Sequence, residues 1–218
     1  MYRVKEAFYT LQGEGAQAGR AAVFCRFSKC NLWTGREKDR AGSVCDFCDT
    51  DFVGVDGQNG GRFETAEGLA AHIRNLWPDQ PGSPYVVCTG GEPLLQLDKA
   101  LVDAFHNAGF EVGVETNGTL PAPPGVDWLC VSPKANASEV IEQCDELKLV
   151  YPQPLAMPER FTGIRATHFF LSPMASPTLA EGQNDPIKQS NTRKATDYCL
   201  ANPRWRLTLQ MHKLIGID

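Results

Sequence analysis

The chain has 218 residues and a formal net charge of −5, with 42% hydrophobic and 22% charged residues. This length and composition predict one globular domain with a sizeable core and leave no room for a second full domain. The acidic balance excludes a broad basic surface for a nucleic-acid backbone, so we expect a small-molecule substrate and no nucleic-acid partner.

The hydrophobic runs are too short to cross a membrane, because a spanning helix needs roughly 20 apolar residues. The first six residues, from Met1 to Glu6, lack the basic and then apolar pattern of a secretory signal. We therefore expect a cytoplasmic protein that does not contact a membrane. Its eight cysteines are then expected to be mostly reduced thiols, which are either metal ligands or small core residues.

Six short apolar runs, each bounded by Gly, Pro, Asn or Ser, predict six buried strands. They occupy residues 21–28, 85–88, 111–115, 128–132, 147–151 and 168–172. Apolar residues that recur every three or four positions predict helices at residues 65–77, 94–108 and 192–201. Because strands and helices alternate along the chain, we expect a parallel sheet.

The predicted helical layer is incomplete. Residues 118–127 contain Pro121, Pro123 and Pro124 and cannot form a helix, and residues 135–144 allow only a short one. A closed eight-stranded barrel typically takes about 250 residues. We therefore predict an α/β fold, a shortened, open and partial TIM-like barrel with about six parallel strands. Residues 205–213 are expected to add an edge strand that carries His212.

Three cysteines form a candidate metal site. Two residues separate Cys45 from Cys48, and fourteen separate Cys30 from Cys45. Soft thiolates suit zinc or an iron–sulfur cluster. Structural zinc normally takes four protein ligands, and no other Cys or His lies near this loop in the sequence, although a distant fourth ligand keeps zinc open as an alternative. Three thiolates on a [4Fe–4S] cluster would leave one iron open for a substrate or cofactor.

The other five cysteines mostly lie inside apolar strands or a helix. Buried cysteine behaves as a small hydrophobic residue. We therefore predict packing roles for Cys25, Cys88, Cys130, Cys144 and Cys199.

Five further blocks occur in a characteristic order: FYTLQGEG at 8–15, CTGGEP at 88–93, ETNG at 115–118, SPK at 132–134 and QMHK at 210–213. In this order they resemble the radical S-adenosylmethionine enzymes, and specifically the 7-carboxy-7-deazaguanine synthases of queuosine biosynthesis. The resemblance covers nearly the whole chain and implies a single radical domain over residues 1–218. The superfamily usually spaces its first two cysteines more closely, so residues 31–44 are an insertion that expands the cluster-binding loop at 30–48.

The resemblance implies a carbon–nitrogen lyase of a tRNA modification pathway. Such an enzyme converts 6-carboxy-5,6,7,8-tetrahydropterin to 7-carboxy-7-deazaguanine by radical ring contraction, with release of ammonia. The implied cofactors are a [4Fe–4S] cluster on Cys30, Cys45 and Cys48, S-adenosylmethionine and Mg²⁺. A homodimer and an electron donor such as flavodoxin or ferredoxin are also implied. Alternatives are another radical enzyme, such as a glycyl-radical activating enzyme, and a non-catalytic zinc-binding protein.

The resemblance also implies a set of residues that bind S-adenosylmethionine. They are Phe47, Asp49, Gly91, Glu92, Glu115, Asn117, Ser132, Pro133, Lys134, Ser172, Pro173, Met174 and Ala175. Many of them follow predicted strands, on the side where open α/β sheets build their sites. From the residues alone, a plain strand-to-helix turn at Pro93 and a plain Asn117-Gly118 turn remain alternatives.

A second implied set binds the substrate: Leu11, Gln12, Gly13, Glu14, Arg26, Thr89, His212 and the terminal Asp218. Gln12 and Glu14 offer an amide and a carboxylate to the donor and acceptor edge of a pterin. Arg26 lies in a predicted strand, where a guanidinium is costly to bury without a partner. That partner is either the substrate carboxylate or an internal Asp or Glu.

Thr50 is implied to bind Mg²⁺ together with the substrate. Magnesium prefers hard oxygen ligands and usually takes few of them from protein. By chemistry alone Asp49 and Asp51 are rival ligands, and a turn-capping role for Thr50 is the remaining alternative.

Overall fold

The computed structural model describes residues 1–177, 179 and 183–217. Strands in this part of the chain are β1 (Tyr2–Leu11), β2 (Ala21–Phe27), β3 (Gly61–Phe63), β4 (Tyr85–Gly90), β5 (Glu111–Thr116), β6 (Trp128–Val131), β7 (Gln143–Tyr151), β8 (Arg165–Pro173) and β9 (Arg206–Leu207). The α-helices there are α1 (Ala66–Arg74), α2 (Lys99–Asn107), α3 (Pro186–Ala201) and α4 (Met211–Ile215). No helix within these ranges is long and apolar enough to span a membrane.

The strands form one open sheet in the order β3-β1-β2-β4-β5-β6-β7-β8-β9. The six strands from β2 to β8 in this order run parallel to one another, and β1 runs antiparallel to both of its neighbours. These six are the strands that the sequence predicts. The shortened, open α/β barrel is therefore confirmed, and all six strands end at the same edge of the sheet.

Strand β1 was not predicted from its sequence, because its alternation of apolar and polar residues is broken. The register with β2 shifts between Val4 and Glu6. Lys5 is nevertheless buried, since its ammonium group pairs with Asp51 at 3.0 Å and with Asp56 at 2.9 Å. A bulge of this kind interrupts the two-residue period on which strand prediction depends.

The helices cover the sheet unevenly. Buried side chains of α1 and α2 pack with those of β1, β2, β4 and β5 in one core cluster, while α3 contributes Ala195 to a second cluster around β7 and β8. Helix α3 begins six residues before its predicted start, because Asp185 caps the backbone N–H of Lys188 and Pro186 occupies the first turn. The proline-rich connection between β5 and β6 has no helix among its residues, as predicted.

The expected edge strand over residues 205–213 is wrong in most of its length. Only Arg206–Leu207 pair with β8, and His212 lies in helix α4 instead of a strand. The helix begins where the N–H of Met211 donates to the carbonyl oxygen of Gly13 at 3.0 Å. It ends at Gly216, whose φ of 69° is the left-handed conformation that commonly ends helices.

Gly90 is the last residue of β4, and at this position β4 lies very close to β2. Its φ is 140°, and a Cβ at this position would collide with the backbone oxygen and nitrogen of Phe27. We expect Gly90→Ala to lower the free energy of unfolding by about 2 kcal/mol or more, as is typical of forced backbone strain. Urea unfolding under anaerobic conditions measures this change. Gly163→Ala is the control, because its Cβ would enter open space; an equal loss in both variants would contradict the assignment.

Candidate active site

Two adjacent cavities lie at the edge where the parallel strands end. One, of about 210 Å³, is lined by Cys30, Cys45 and Cys48, and we call it the cysteine cavity. The other, of about 330 Å³, is lined by Arg26, and we call it the arginine cavity. Six residues line both cavities: Glu14, Asp49, Thr50, Thr89, Glu115 and Gln210.

The three cysteines predicted as metal ligands share the wall of the cysteine cavity. The backbone N–H of Leu32 donates to the sulfur of Cys30 at 3.4 Å. Interaction with Cys45 lowers the pKa of Cys48, which favours the thiolate, the form that binds metals. In the described ranges no three Cys, His, Asp or Glu side chains form a compact site for a single metal ion. Three soft sulfur donors on one wall are the donor set that an iron–sulfur cluster takes.

The inserted loop is held in place by Arg40, which lies in the 3-10 helix Glu37–Gly42. The Arg40 guanidinium lies 4.2 Å from the centre of the Trp33 ring, and Trp33 packs edge-on against Phe52. The same guanidinium donates to the carbonyl oxygens of Asp46 at 2.8 Å and of Cys48 at 2.9 Å. The loop therefore fixes the backbone that carries two of the three cysteines, a role that the sequence did not reveal.

Most of the residues implied for S-adenosylmethionine are brought together. Those that line the cysteine cavity are Phe47, Asp49, Gly91, Glu115, Asn117, Ser132, Lys134, Ser172, Pro173, Met174 and Ala175. The Lys134 ammonium folds back onto the carbonyl oxygen of Ser132 at 2.7 Å and onto its hydroxyl at 2.5 Å. Lys134 lines the same cavity as the thiols, and its positive charge acts to lower the pKa values of Cys45 and Cys48.

Glu92 and Pro133 do not line either cavity. Glu92 is completely buried, and its carboxylate accepts hydrogen bonds from the Thr116 hydroxyl at 2.7 Å, the Asn117 N–H at 2.8 Å and the Leu94 N–H at 3.0 Å. Burial raises the pKa of Glu92, while these hydrogen bonds act in the opposite direction. Glu92 therefore fastens the end of β5 behind the cavity wall, where it supports the predicted site without facing it.

The arginine cavity gathers most of the residues implied for the substrate: Leu11, Gln12, Glu14, Arg26, Thr89 and His212. Gly13 lies behind them, where a Cβ would collide with the His212 ring. This close approach brings α4 against the turn after β1. Asp218 lies outside the described residues.

Arg26 has an internal carboxylate partner. Its Nε donates to Glu6 at 2.8 Å, and both side chains are mostly buried. The internal ion pair weighed as an alternative is thus present, and Arg26 also lines the cavity. A guanidinium group has five N–H donors, and the bond to Glu6 uses only the one on Nε. The other donors of Arg26 can therefore bind a second carboxylate.

Thr50 lies where the two cavities meet, and lysines engage the two rival aspartates. Lys213 of α4 donates to Asp49 at 2.7 Å, and Lys5 pairs with Asp51 at 3.0 Å. Each aspartate therefore already has a cationic partner.

A buried lysine between the two cavities was missed by the sequence reasoning. Lys148 of β7 donates to Glu14 at 2.8 Å and lies 3.4 Å from Glu115. Burial alone would raise the pKa of Glu14, but the charge and hydrogen bond of Lys148 outweigh it and lower that pKa to about 2. The available signal was the alternation of Glu146 and Lys148 inside an otherwise apolar strand, which indicates charged groups on one interior face.

No protein-family model matches the chain. Curated relatives do: the 7-carboxy-7-deazaguanine synthases of Bordetella pertussis and Caulobacter vibrioides are 61% and 58% identical to it, each over 99% of both chains. The crystal structure of QueE from Escherichia coli superposes with a TM-score of 0.68 and 26% identity, covering 97% of this chain and 94% of that one. The chain therefore belongs to the 7-carboxy-7-deazaguanine synthase family.

Proposed function

We propose that this chain catalyses the radical ring contraction of 6-carboxy-5,6,7,8-tetrahydropterin to 7-carboxy-7-deazaguanine, with release of ammonia, for queuosine and related 7-deazapurines. The observation that carries the proposal is full-length similarity to synthases of that name, in a chain whose cysteine cavity shares six lining residues with an arginine cavity. A radical centre and a binding site for a carboxylated ring are then neighbours.

Cys30, Cys45 and Cys48 would hold a [4Fe–4S] cluster, and the strand ends that face them would bind S-adenosylmethionine. Together these groups supply the hydrogen-abstracting radical when they are bound. Gly91 lets the turn after β4 approach Cys30, because a Cβ there would collide with the backbone of Lys29, and Lys134 adds a positive charge in the same cavity. Glu92 would act indirectly, through the position of Asn117.

The arginine cavity would bind the pterin. Arg26, held by Glu6, would receive the substrate carboxylate, and Gln12 and Glu14 would bind the polar ring edge. Helix α4 closes this side of the site, because its first residue is hydrogen-bonded to Gly13 and its Lys213 pairs with Asp49. We also propose a single domain, a homodimer, and a small electron donor such as flavodoxin or ferredoxin.

Anaerobic turnover of 6-carboxytetrahydropterin with reductant, S-adenosylmethionine and Mg²⁺ tests the function. We expect 7-carboxy-7-deazaguanine and ammonia in equal amounts, and 5′-deoxyadenosine only from turnovers in which the abstracted hydrogen is not returned, because substrate and products differ by NH3 alone and the conversion is redox-neutral. Deoxyadenosine without the deazapurine would point to another radical enzyme, such as a glycyl-radical activating enzyme. The absence of both products from protein with a full complement of iron would refute the proposed activity.

Thr50 would bind Mg²⁺ together with the substrate. We expect Thr50→Ala to keep its iron content but to need at least about tenfold more Mg²⁺ for half-maximal activity, because an oxygen ligand is lost. Thr50→Ser is the matched control, since it keeps the hydroxyl. If Thr50→Ala responds to Mg²⁺ as the unmodified protein does, and Asp49→Asn or Asp51→Asn does not, an aspartate is the ligand.

A further inference from the structure

Lys148 lies between two carboxylates that line both cavities. Its ammonium group donates to Oε2 of Glu14 at 2.8 Å and lies 3.4 Å from Oε2 of Glu115. The lysine side chain is only 7% exposed, and the two glutamates come from different parts of the chain, the turn after β1 and the end of β5. A buried charge of this kind is costly unless it is paired, so its pairing fixes all three side chains together.

The second oxygen of each carboxylate, Oε1, also accepts a hydrogen bond. The Ser172 hydroxyl donates to Oε1 of Glu14 at 2.8 Å, and the Gln12 amide donates to Oε1 of Glu115 at 2.9 Å. Each carboxylate oxygen thus has one protein donor and can still accept another. An ionised carboxylate can only accept hydrogen bonds, so whatever binds against this pair must present N–H or O–H groups.

The other titratable groups near Lys148 are bonded to different partners or affect it only through their charge. Glu146 of β7 accepts from the N–H of Ala16 at 2.8 Å, and the Cys130 thiol of β6 donates to Glu146 at 3.5 Å. His212 of α4 acts on Glu14 from the far side and lowers its pKa further. The direct partners of the lysine are therefore Glu14 and Glu115. Without its charge, two neighbouring carboxylates would repel each other, and one would take up a proton more readily.

We propose that Lys148 is a positioning residue for substrate specificity: it fixes the Glu14 and Glu115 carboxyl groups side by side, so that their oxygens select a ring edge rich in N–H donors. A 2-amino-4-oxo pterin presents such an edge through its 2-amino group and N3–H. A ring with a carbonyl at position 2 would place an acceptor against an acceptor and be rejected. The inference rests on the proposed function, since it assigns the polar edge of that substrate.

Binding of two probes to the reconstituted holoenzyme tests this inference. 6-Carboxypterin has the 2-amino group, whereas 6-carboxylumazine has a carbonyl at position 2 and a hydrogen on N1 of the same ring skeleton. Anaerobic calorimetry should give a preference for the pterin of about a hundredfold in the unmodified protein. In Lys148→Met we expect this preference to fall at least about tenfold, because a protonated carboxyl can donate to the carbonyl.

Two further variants separate specificity from general damage. Lys148→Arg restores the charge and should recover most of the preference. Lys99→Met removes a lysine that pairs with Asp103 on the surface of α2, away from both cavities, and should leave the preference unchanged. If Lys148→Met weakens both probes equally and keeps their ratio, the lysine has a purely structural role and the proposal is overturned.

The unmodified protein provides a test that does not depend on the variant folding. Because Glu14 stays ionised far below neutral pH, the preference should be constant between pH 7 and 5.5. A preference that declines steadily over this range would overturn the proposal. Failure of the proposed function is a different result: the unmodified protein would then bind neither probe and form no deazapurine.

Discussion

Cys45→Ala is expected to abolish turnover, by more than about a hundredfold, because even outer partners of metal ligands are worth about 10- to 100-fold. Cys45 is buried at the wall of the cysteine cavity, so its loss removes one of the three sulfur donors. Iron content and deoxyadenosine formation should both fall to background. Iron analysis and product chromatography after anaerobic reconstitution measure the two losses.

Cys199→Ala is the matched control for this experiment. Cys199 lies in α3 and packs against the core around β7 and β8, away from both cavities. This variant should keep about four irons and four sulfides per chain, together with the brown colour of a cluster. Retention of iron and activity by Cys45→Ala would contradict the assignment, and zinc in place of iron in the unmodified protein would restore the zinc alternative.

Glu92→Ala is expected to lower the free energy of unfolding by about 3–5 kcal/mol, because it leaves buried donors without a partner. Its carboxylate accepts from Thr116, Asn117 and Leu94, and both Thr116 and Asn117 are themselves buried. We also expect weaker binding of S-adenosylmethionine, since Asn117 loses its backbone anchor. Urea unfolding and calorimetry of cofactor binding measure the two effects separately.

Glu64→Ala provides the comparison for Glu92, since Glu64 is an exposed glutamate before α1. Its loss should change stability by no more than about 0.5 kcal/mol. If Glu92→Ala were as stable as the unmodified protein yet unable to bind S-adenosylmethionine, Glu92 would contact the cofactor directly. The sequence resemblance implied that contact, and the buried position of the side chain argues against it.

The parallel part of the sheet could be predicted because each strand is a short apolar run between turn-forming residues. Strand β1 could not, since Lys5 is buried only through Asp51 and Asp56, which lie far along the chain. Helix α4 was mistaken for a strand because five residues carry too little periodicity to identify a helix. Its position depends on contacts with the turn at Gly13.

The candidate site likewise contains residues that short motifs identify and residues whose roles depend on distant parts of the chain. The cysteines and the strand-end blocks are short motifs, so the sequence could indicate them. Lys148 could not be assigned a role, because its partner Glu14 is 134 positions away and their pairing exists only after the sheet has formed. Glu92 lies in a recognisable motif, but its side chain is buried. Only the fold distinguishes a residue that faces a ligand from one that supports the wall behind it.

The way Arg40 anchors the inserted loop has a consequence for how this region can vary. The guanidinium clamps the main chain on both sides of Phe47, at the carbonyl groups of Asp46 and Cys48. The spacing between the last two thiols is therefore set by this clamp and not by the number of residues that precede it. Residues could be added to or removed from the outer part of the insertion with little effect on the sulfur positions, provided that a cation still reaches those two carbonyls.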